Sequence, residues 1–318
     1  MSLLSMIQTV CLEVGIPVPN AALTSTDPQI LQLAAFANRE GKELAAYPVK
    51  DACWSVLSKQ YLFTTQYLTL AGCTLVANSA AVTVQSSTGI TVGMACSGPL
   101  GSGLAPSALV LSIDGPTQVT VDQVATASGS ALSLTFSKIA YSFPADYDHS
   151  LNQTYWDRQY RWQMLGPLTP QEWGVLKSGI VPTGPRRRFR VQGNKFLLDP
   201  APTSNNVLVY EYISSGFCVP TGTDISPQSA AFQTAFRLDS DVAVLDEDLM
   251  TLGIKWRWLR AKGFSYDEEY KTYCDARGRR AARDGGGARS IVMNRQFVSS
   301  PLITSSQIPD AGFGVPSS

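Results

Sequence analysis

The chain has 318 residues, and its 25 Lys and Arg are balanced by 25 Asp and Glu, for a formal net charge of +0. That balance argues against a dedicated nucleic-acid binder, which needs a basic surplus. Charged residues make up only 16% and hydrophobic ones 44%, which permits a sizeable core, excludes global disorder and suggests a surface that partners cover.

Residues 1–18 contain Glu13 and no basic start, so they do not read as a signal peptide. Ser2 can cap a helix running to Val14, with Leu3, Ile7, Val10 and Val14 on one face and Gly15 as its stop. A second helix starts at Thr26-Asp27-Pro28, carries Ile30, Leu33, Ala37 and Leu44, and ends by Pro48. Tyr61–Thr64 reads as a strand. From Gln66 to Ser137 the only charges are Asp114 and Asp122. Apolar and small polar residues alternate there, as in Val82-Thr83-Val84, Val119-Thr120-Val121 and Leu132–Phe136, between Gly and Pro turns. This predicts a small all-β sandwich or barrel. It is flanked by strand-like pieces at 61–65 and 139–143, so it reads as an insertion into a host domain.

Thr169-Pro170-Gln171-Glu172 is a capping box with Pro in the first turn, predicting a short helix to Ser178. Residues 186–191, 195–198 and 207–213 read as strands, the first two joined by Gly193-Asn194. Leu245, Leu249, Leu252, Trp256 and Leu259 form one helical stripe, with Ile254, Trp258 and Ala261 on a second face. Ser265-Tyr266-Asp267-Glu268 reads as a second capping box, opening a helix to about Arg283 that Gly285 to Gly287 end. From residue 288 the chain is polar and Pro-containing, an extended tail that a partner would order. The fold class is therefore α+β. N- and C-terminal helices form a bundle beside a β region in a host of residues 1–65 and 139–287. Residues 66–138 are the inserted domain and 288–318 the tail.

Catalytic motifs are not apparent. His149 is the one histidine and lies beside Asp146 and Asp148, with no nucleophile elbow to serve it. The scattered cysteines (Cys11, Cys53, Cys73, Cys96, Cys218, Cys274) lack CxxC pairing and predict buried thiols rather than zinc. Asp246, Glu247 and Asp248 read as complements to a helix dipole before a metal site. No catalytic residue, cofactor or metal ligand is expected, and no stretch reaches the ~20 apolar residues that span a bilayer. Two arginine clusters stand out. Arg186, Arg187, Arg188 and Arg190 open a strand. Arg186 and Arg188 share one face and Arg187 the other, and no buried face is expected at that end. Arg277, Arg279, Arg280 and Arg283 lie on the last helix. Trp156, Trp162 and Trp173 read as core or interface anchors.

Three stretches carry a resemblance: Gly166-Pro167-Leu168-Thr169-Pro170-Gln171-Glu172-Trp173, Gly184 to Lys195 with Asp199-Pro200, and Leu245 to Gly263. They resemble the head-to-tail adaptor proteins of short-tailed bacteriophages, of the tail tubular protein A type. The resemblance spans residues 1–65 and 139–290. It implies a structural virion protein, made in the host cytoplasm and located at the head–tail junction. Copies form a ring, typically of twelve, beneath the portal protein. A tail or nozzle protein binds below, and genomic DNA passes through the lumen without tight binding. It implies further that Met293, Phe297, Leu302 and Ile303 of the tail lie on the portal. Subunit or tail contacts would draw on Arg186, Arg187, Arg188, Arg190, Trp156 and Trp162. Two other classes compete. One is a virion peptidoglycan hydrolase using Glu172 or Glu211 with a nearby Asp. The other is an adhesion module built on the β insert.

Overall fold

In a computed structural model, which describes residues 1–47, 54–105, 108–151, 153–177 and 186–284, the chain is mixed α+β with antiparallel sheets. α1 (Leu3–Val14) starts behind Ser2, whose Oγ accepts the Ser5 N–H at 3.2 Å, and stops at Gly15 with φ 77°. That left-handed turn disfavours a Cβ, so glycine suits it. α2 (Pro28–Ala45) starts at the Asp27 cap. Its predicted stripe of Ile30, Leu33, Ala37 and Leu44 is buried. The helix ends at Ala45, and Pro48 lies outside the described residues.

A short turn leads to β1 (Ser58–Thr64). Then come β2 (Tyr67–Leu75), β3 (Ala81–Thr83), β4 (Ala95–Ser97), β5 (Ala108–Gly115), β6 (Gln118–Val121) and β7 (Gly129–Ser137). These six strands close into a barrel in the order β2-β3-β6-β5-β4-β7. Closure removes sheet edges, which a segment with so few charges could not otherwise protect. Leu75, Val82, Val110, Val119, Leu134 and Phe136 fill the interior. The Lys138 N–H donates to the Gln66 carbonyl at 2.9 Å, so the chain enters and leaves the barrel at one point. Thr65 braces that point, accepting the Asn206 N–H on Oγ1 at 2.8 Å.

Next come β8 (Ala140–Ser142), β9 (Tyr147–Ser150), β10 (Trp156–Asp157), β11 (Trp162–Gln163) and α3 (Pro170–Lys177). β12 (Arg188–Gln192), β13 (Lys195–Asp199) and β14 (Val207–Ser214) follow. One sheet runs β1-β14-β10-β11 with β9 also on β14, and another runs β12-β13-β8. Gly193 and Asn194 both have φ 56°, the mirror-image turn that strand twist favours. Tyr141, Tyr155, Phe189, Phe196, Tyr210 and Tyr212 from both sheets form one aromatic core.

β15 (Cys218–Val219) and β16 (Val242–Ala243) precede α4 (Glu247–Lys262) and α5 (Asp267–Asp284). α4 packs against α1, α2 and α5, and the four helices share a core with Phe217, Phe232 and Phe236. Leu245, Leu249 and Trp256 are buried, as are Ile254 and Trp258 on the second face, whereas Ala261 is exposed. α5 begins at Asp267, one residue later than a Ser265–Glu268 capping box requires. No helix among the described residues is long and apolar enough to cross a membrane. The tail positions Met293, Phe297, Leu302 and Ile303 lie outside the described residues.

Candidate interaction surface

The arginine strand divides differently from its period-two pattern. Arg187 is 8% exposed and its Nε donates to Asp157 Oδ2 at 3.1 Å. Phe189, two residues on, is fully buried. The strand end therefore has a buried face, contrary to the sequence expectation. Asp157, itself 3% exposed, supplies the countercharge that a buried guanidinium requires. Arg187 is thereby engaged within its own chain. Arg186, Arg188 and Arg190 are half-buried. β12 is also bordered on its outer side, since Leu165 and Leu168 donate backbone N–H groups to Arg187 O and Phe189 O at 3.0 and 2.9 Å.

Asp157 has a second task. Its Oδ1 accepts the N–H groups of Gln159 and Tyr160, at 3.0 and 3.3 Å, and its Oδ2 accepts from Asn206 Nδ2 at 3.0 Å. These bonds fix the tight connection between β10 and β11, in which Arg161 takes φ 58°. The connection presents Arg158, Tyr160 and Arg161 to solvent. Tyr160 stacks on Trp162 with ring centroids 5.4 Å apart. Trp156 is 39% exposed and Tyr160 43%. Gln60, Trp156, Asp157, Arg158, Arg161 and Val209 line a shallow hollow of 460 Å³. Trp156 thus shares one surface with Arg158 and Arg161, whereas Trp162, opposite Asp157 in the register, lies on the other face of the ribbon. The sequence reading missed those two arginines because they stand singly rather than in a run.

Most of the remaining candidates are accounted for by contacts within the chain. Asp246 caps α4, accepting the Leu249 N–H at 3.1 Å. Arg280 reaches Asp246 at 3.1 Å and Asp248 at 2.8 Å, and Glu247 pairs with the Met1 ammonium. No group of His, Cys, Asp and Glu suited to a metal occurs among the described residues. Arg277 lies over the Tyr47 ring at 4.2 Å, while Arg279 and Arg283 are exposed. His149 is exposed and contacts Asp148 at 2.7 Å. Glu172 completes the capping box, accepting from Thr169 N and Oγ1 at 2.8 and 2.9 Å. Those bonds hold its carboxyl below the usual range, the opposite of what a general acid needs. Glu211 pairs across β1 with Gln60 and lines a separate hollow beside Lys59.

Two buried polar clasps were not visible in the sequence. Asp146 accepts from Tyr212 Oη, Ser214 Oγ and Phe232 N at 2.9, 2.7 and 2.8 Å, with Lys59 Nζ 3.8 Å away. Burial lowers the Lys59 pKa, and the Asp146 charge opposes that shift. In the helical layer, Arg257 on α4 pairs with Glu40 and, at 2.6 Å, Glu43 on α2. Burial pushes its guanidinium down to about 10. Gly253 permits the pairing, because a Cβ there would run into the Glu40 carboxylate. That glycine, in the middle of a helix that otherwise disfavours it, was the available signal. Against known proteins, the chain matches no family model, and no curated protein matches it.

Proposed function

We propose that the chain is a structural virion protein, the head-to-tail adaptor of a short-tailed bacteriophage. Its copies form a ring of about twelve under the portal, a number that rests on the family resemblance and on cyclic closure. In this reading α1, α2, α4 and α5 are the bundle that forms the ring body, and the β layers face a tail or nozzle protein. Residues 66–138 are an inserted domain on the outside of the ring. The tail, with Met293, Phe297, Leu302 and Ile303, runs along the portal. Genomic DNA passes through the lumen, which a net charge of +0 keeps from holding it tightly. The role is assembly at the head–tail junction, without turnover and without a cofactor.

The observation that carries this reading is the division of the interior into three hydrophobic cores. Helices from both ends of the chain share one, the aromatic sheets have another, and the barrel has its own. The first two are the layers that the resemblance implies, and the barrel, which the resemblance does not cover, is entered and left at one point. A stable exposed turn of Arg, Trp and Tyr adds to it, because those three residue types dominate the energetics of protein interfaces. Light scattering on the full chain, alone and mixed with the cognate portal ring, tests the reading. A large defined oligomer, or a monomer that loads stoichiometrically onto the portal, is expected. A monomer that ignores the portal would overturn it.

A further inference from the structure

The barrel and the β10–β11 connection present surfaces of opposite charge, and neither has a partner among the described residues. Between Gln66 and Ser137 the barrel has no cation, and its two acids are Asp114 on β5 and Asp122 just after β6. Asp122 Oδ1 accepts the Leu109 N–H at 2.7 Å, and Asp114 accepts from Ser112 and Thr120 hydroxyls at 2.8 and 2.6 Å. Both carboxylates are therefore fixed in place. Between them along β5, Leu111 is 62% exposed, while Ile113 pairs with the interior Val119 and faces away from Asp114. The bond from Gly93 N to Val110 O sets Val92, 63% exposed, alongside Leu111. This face therefore carries exposed Leu111 and Val92 beside the Ser112 and Thr120 hydroxyls, with two carboxylates and no cation.

The β10–β11 connection has the reverse pattern. Tyr160 and Trp162 are stacked, with Trp156 on the neighbouring strand. Arg158 and Arg161 line a hollow with Trp156, and among the described residues no ion pair engages either one. Asp157, the one acid of the turn, is buried beneath it and occupied by Arg187 and Asn206. Glu211, on the central strand of that sheet, stands opposite Gln60. A barrel closed on itself offers no strand edge for pairing, so a partner must engage its outer face through side chains.

From this complementarity we infer that the β5–β6 face of the barrel docks on the Arg158–Trp162 turn of a second copy of this chain. Two different patches then meet, which makes the contact head-to-tail, the kind that propagates and closes into rings. Leu111 and Val92 cover Trp156 while Asp114 and Asp122 reach the two arginines. Charge pairing at the rim selects the partner and its register, and the aromatic centre supplies most of the affinity. The inference rests on the ring reading and makes the barrel an arm that holds the neighbouring subunit.

Two one-sided variants of the full chain test this. Arg158→Glu with Arg161→Glu reverses the turn, and Leu111→Lys spoils the barrel face without touching a hydrogen bond. All three side chains are exposed, so unfolding curves should match wild type. In concentration-dependent light scattering each variant alone should need at least tenfold more protein than wild type to associate. An equimolar mixture should give a one-to-one dimer that does not extend, because each variant keeps the patch the other lacks. If wild type assembles and both variants assemble equally well, this contact is overturned while the ring reading stands. If wild type stays monomeric, Arg158→Cys mixed with Leu111→Cys under mild oxidant decides. Disulfide-linked dimers would support the contact and their absence would overturn it, while portal loading tests the ring separately. Loss of single-stranded oligonucleotide binding by the turn variant, with association unchanged, would overturn the contact and assign the turn to nucleic acid.

Discussion

The barrel and the rest of the chain solve the problem of a unique interior in different ways. The barrel interior is aliphatic, with Phe136 and two thiols, and no ionised side chain is buried in it. The helical and sheet layers bury Glu40 with Arg257, Asp157 with Arg187 and Asp146 with Lys59. Such pairs add little net stability over apolar replacements, but breaking one is expensive. Each one here ties together elements distant in sequence: α2 to α4, the β10 turn to the start of β12, and β1 to the Asp146 segment. A closed barrel gets its register from its own strand pairing, whereas layered helices and sheets can slide. We read the buried pairs as the devices that fix the layers in one arrangement.

The largest effects should separate these two strategies. All six tryptophans, Trp54, Trp156, Trp162, Trp173, Trp256 and Trp258, lie outside residues 66–138. Trp fluorescence therefore follows the layers, while amide hydrogen exchange of β2–β7 follows the barrel. Arg257→Met leaves Glu40 buried without its cation and should destabilise the layers by about 3–5 kcal/mol. Adding Glu40→Met should recover most of that loss, since it removes the stranded charge. A double variant as unstable as the single would refute the view of this pair as a device for specificity. Phe136→Ala should cost the barrel about 3–5 kcal/mol through the cavity it leaves, with the Trp-detected midpoint in urea unmoved. A coincident drop in that midpoint would mean that barrel and layers unfold as one unit.

Alkaline pH sharpens the comparison at smaller amplitude. Burial first, and the neighbouring Cys73 second, push the Cys96 thiol in the barrel up to about 12. A thiol in the unfolded chain ionises near pH ~8.5. Between those values the unfolded chain releases a proton that the barrel keeps, so stability is intact below pH ~8.5 and falls as pH rises. The slope is about 1.4 kcal/mol per unit for one group. In the layers, burial raises Cys218 to about 12 and acts in the same way. Above pH ~10 the buried tyrosines add to that slope, because burial pushes Tyr155 up to about 12 and raises Tyr210 and Tyr212 as well. Hydrogen exchange at pH 8 to 10 should show the barrel weakening, and Cys96→Ala should flatten that slope while leaving the Trp-detected transition as it was. An unchanged slope in the variant would place the titrating group elsewhere.

Local chemistry was legible in the sequence where local chemistry decides the structure. Ser2 and Gly15 bound α1, Asp27 caps α2, Thr169 and Glu172 pair, and Gly193-Asn194 turns the β12–β13 hairpin, all through contacts between near neighbours. The barrel segment announced itself by composition over some seventy residues. The long-range pairs were not legible, because nothing near Lys59, Asp157 or Arg187 in the chain marks them for burial. Arg187 shows the cost of reading a strand by alternation alone. The pattern separated it correctly from Arg186 and Arg188, but whether its face met water or Asp157 depended on a strand 30 residues away. For the candidate surface, the sequence singled out Trp156 and Trp162 and passed over Arg158 and Arg161. Only the turn organised by Asp157 brings both arginines to the hollow that Trp156 lines, and Trp162 takes the opposite face.

The smallest predicted effect is a gain, and it lies in the barrel. Ala131 on β7 has φ 56°, at the irregularity where the pairing steps from Cys73↔Leu132 to Leu75↔Gly129. An L-residue held there is strained by about 1–2 kcal/mol, because its Cβ crowds the following carbonyl. Ala131→Gly relieves that strain but gives the unfolded chain more freedom, worth about 0.5–1 kcal/mol. The difference leaves the barrel stabilised by up to about 1.5 kcal/mol. Ala131→Val should act in the opposite direction, since a branched Cβ tolerates this conformation least. The barrel-specific hydrogen-exchange readout can resolve both. Equal stability of the Gly and Val variants would mean that the bulge relaxes when its side chain changes. In that case strand pairing, rather than this one backbone conformation, sets the barrel's register.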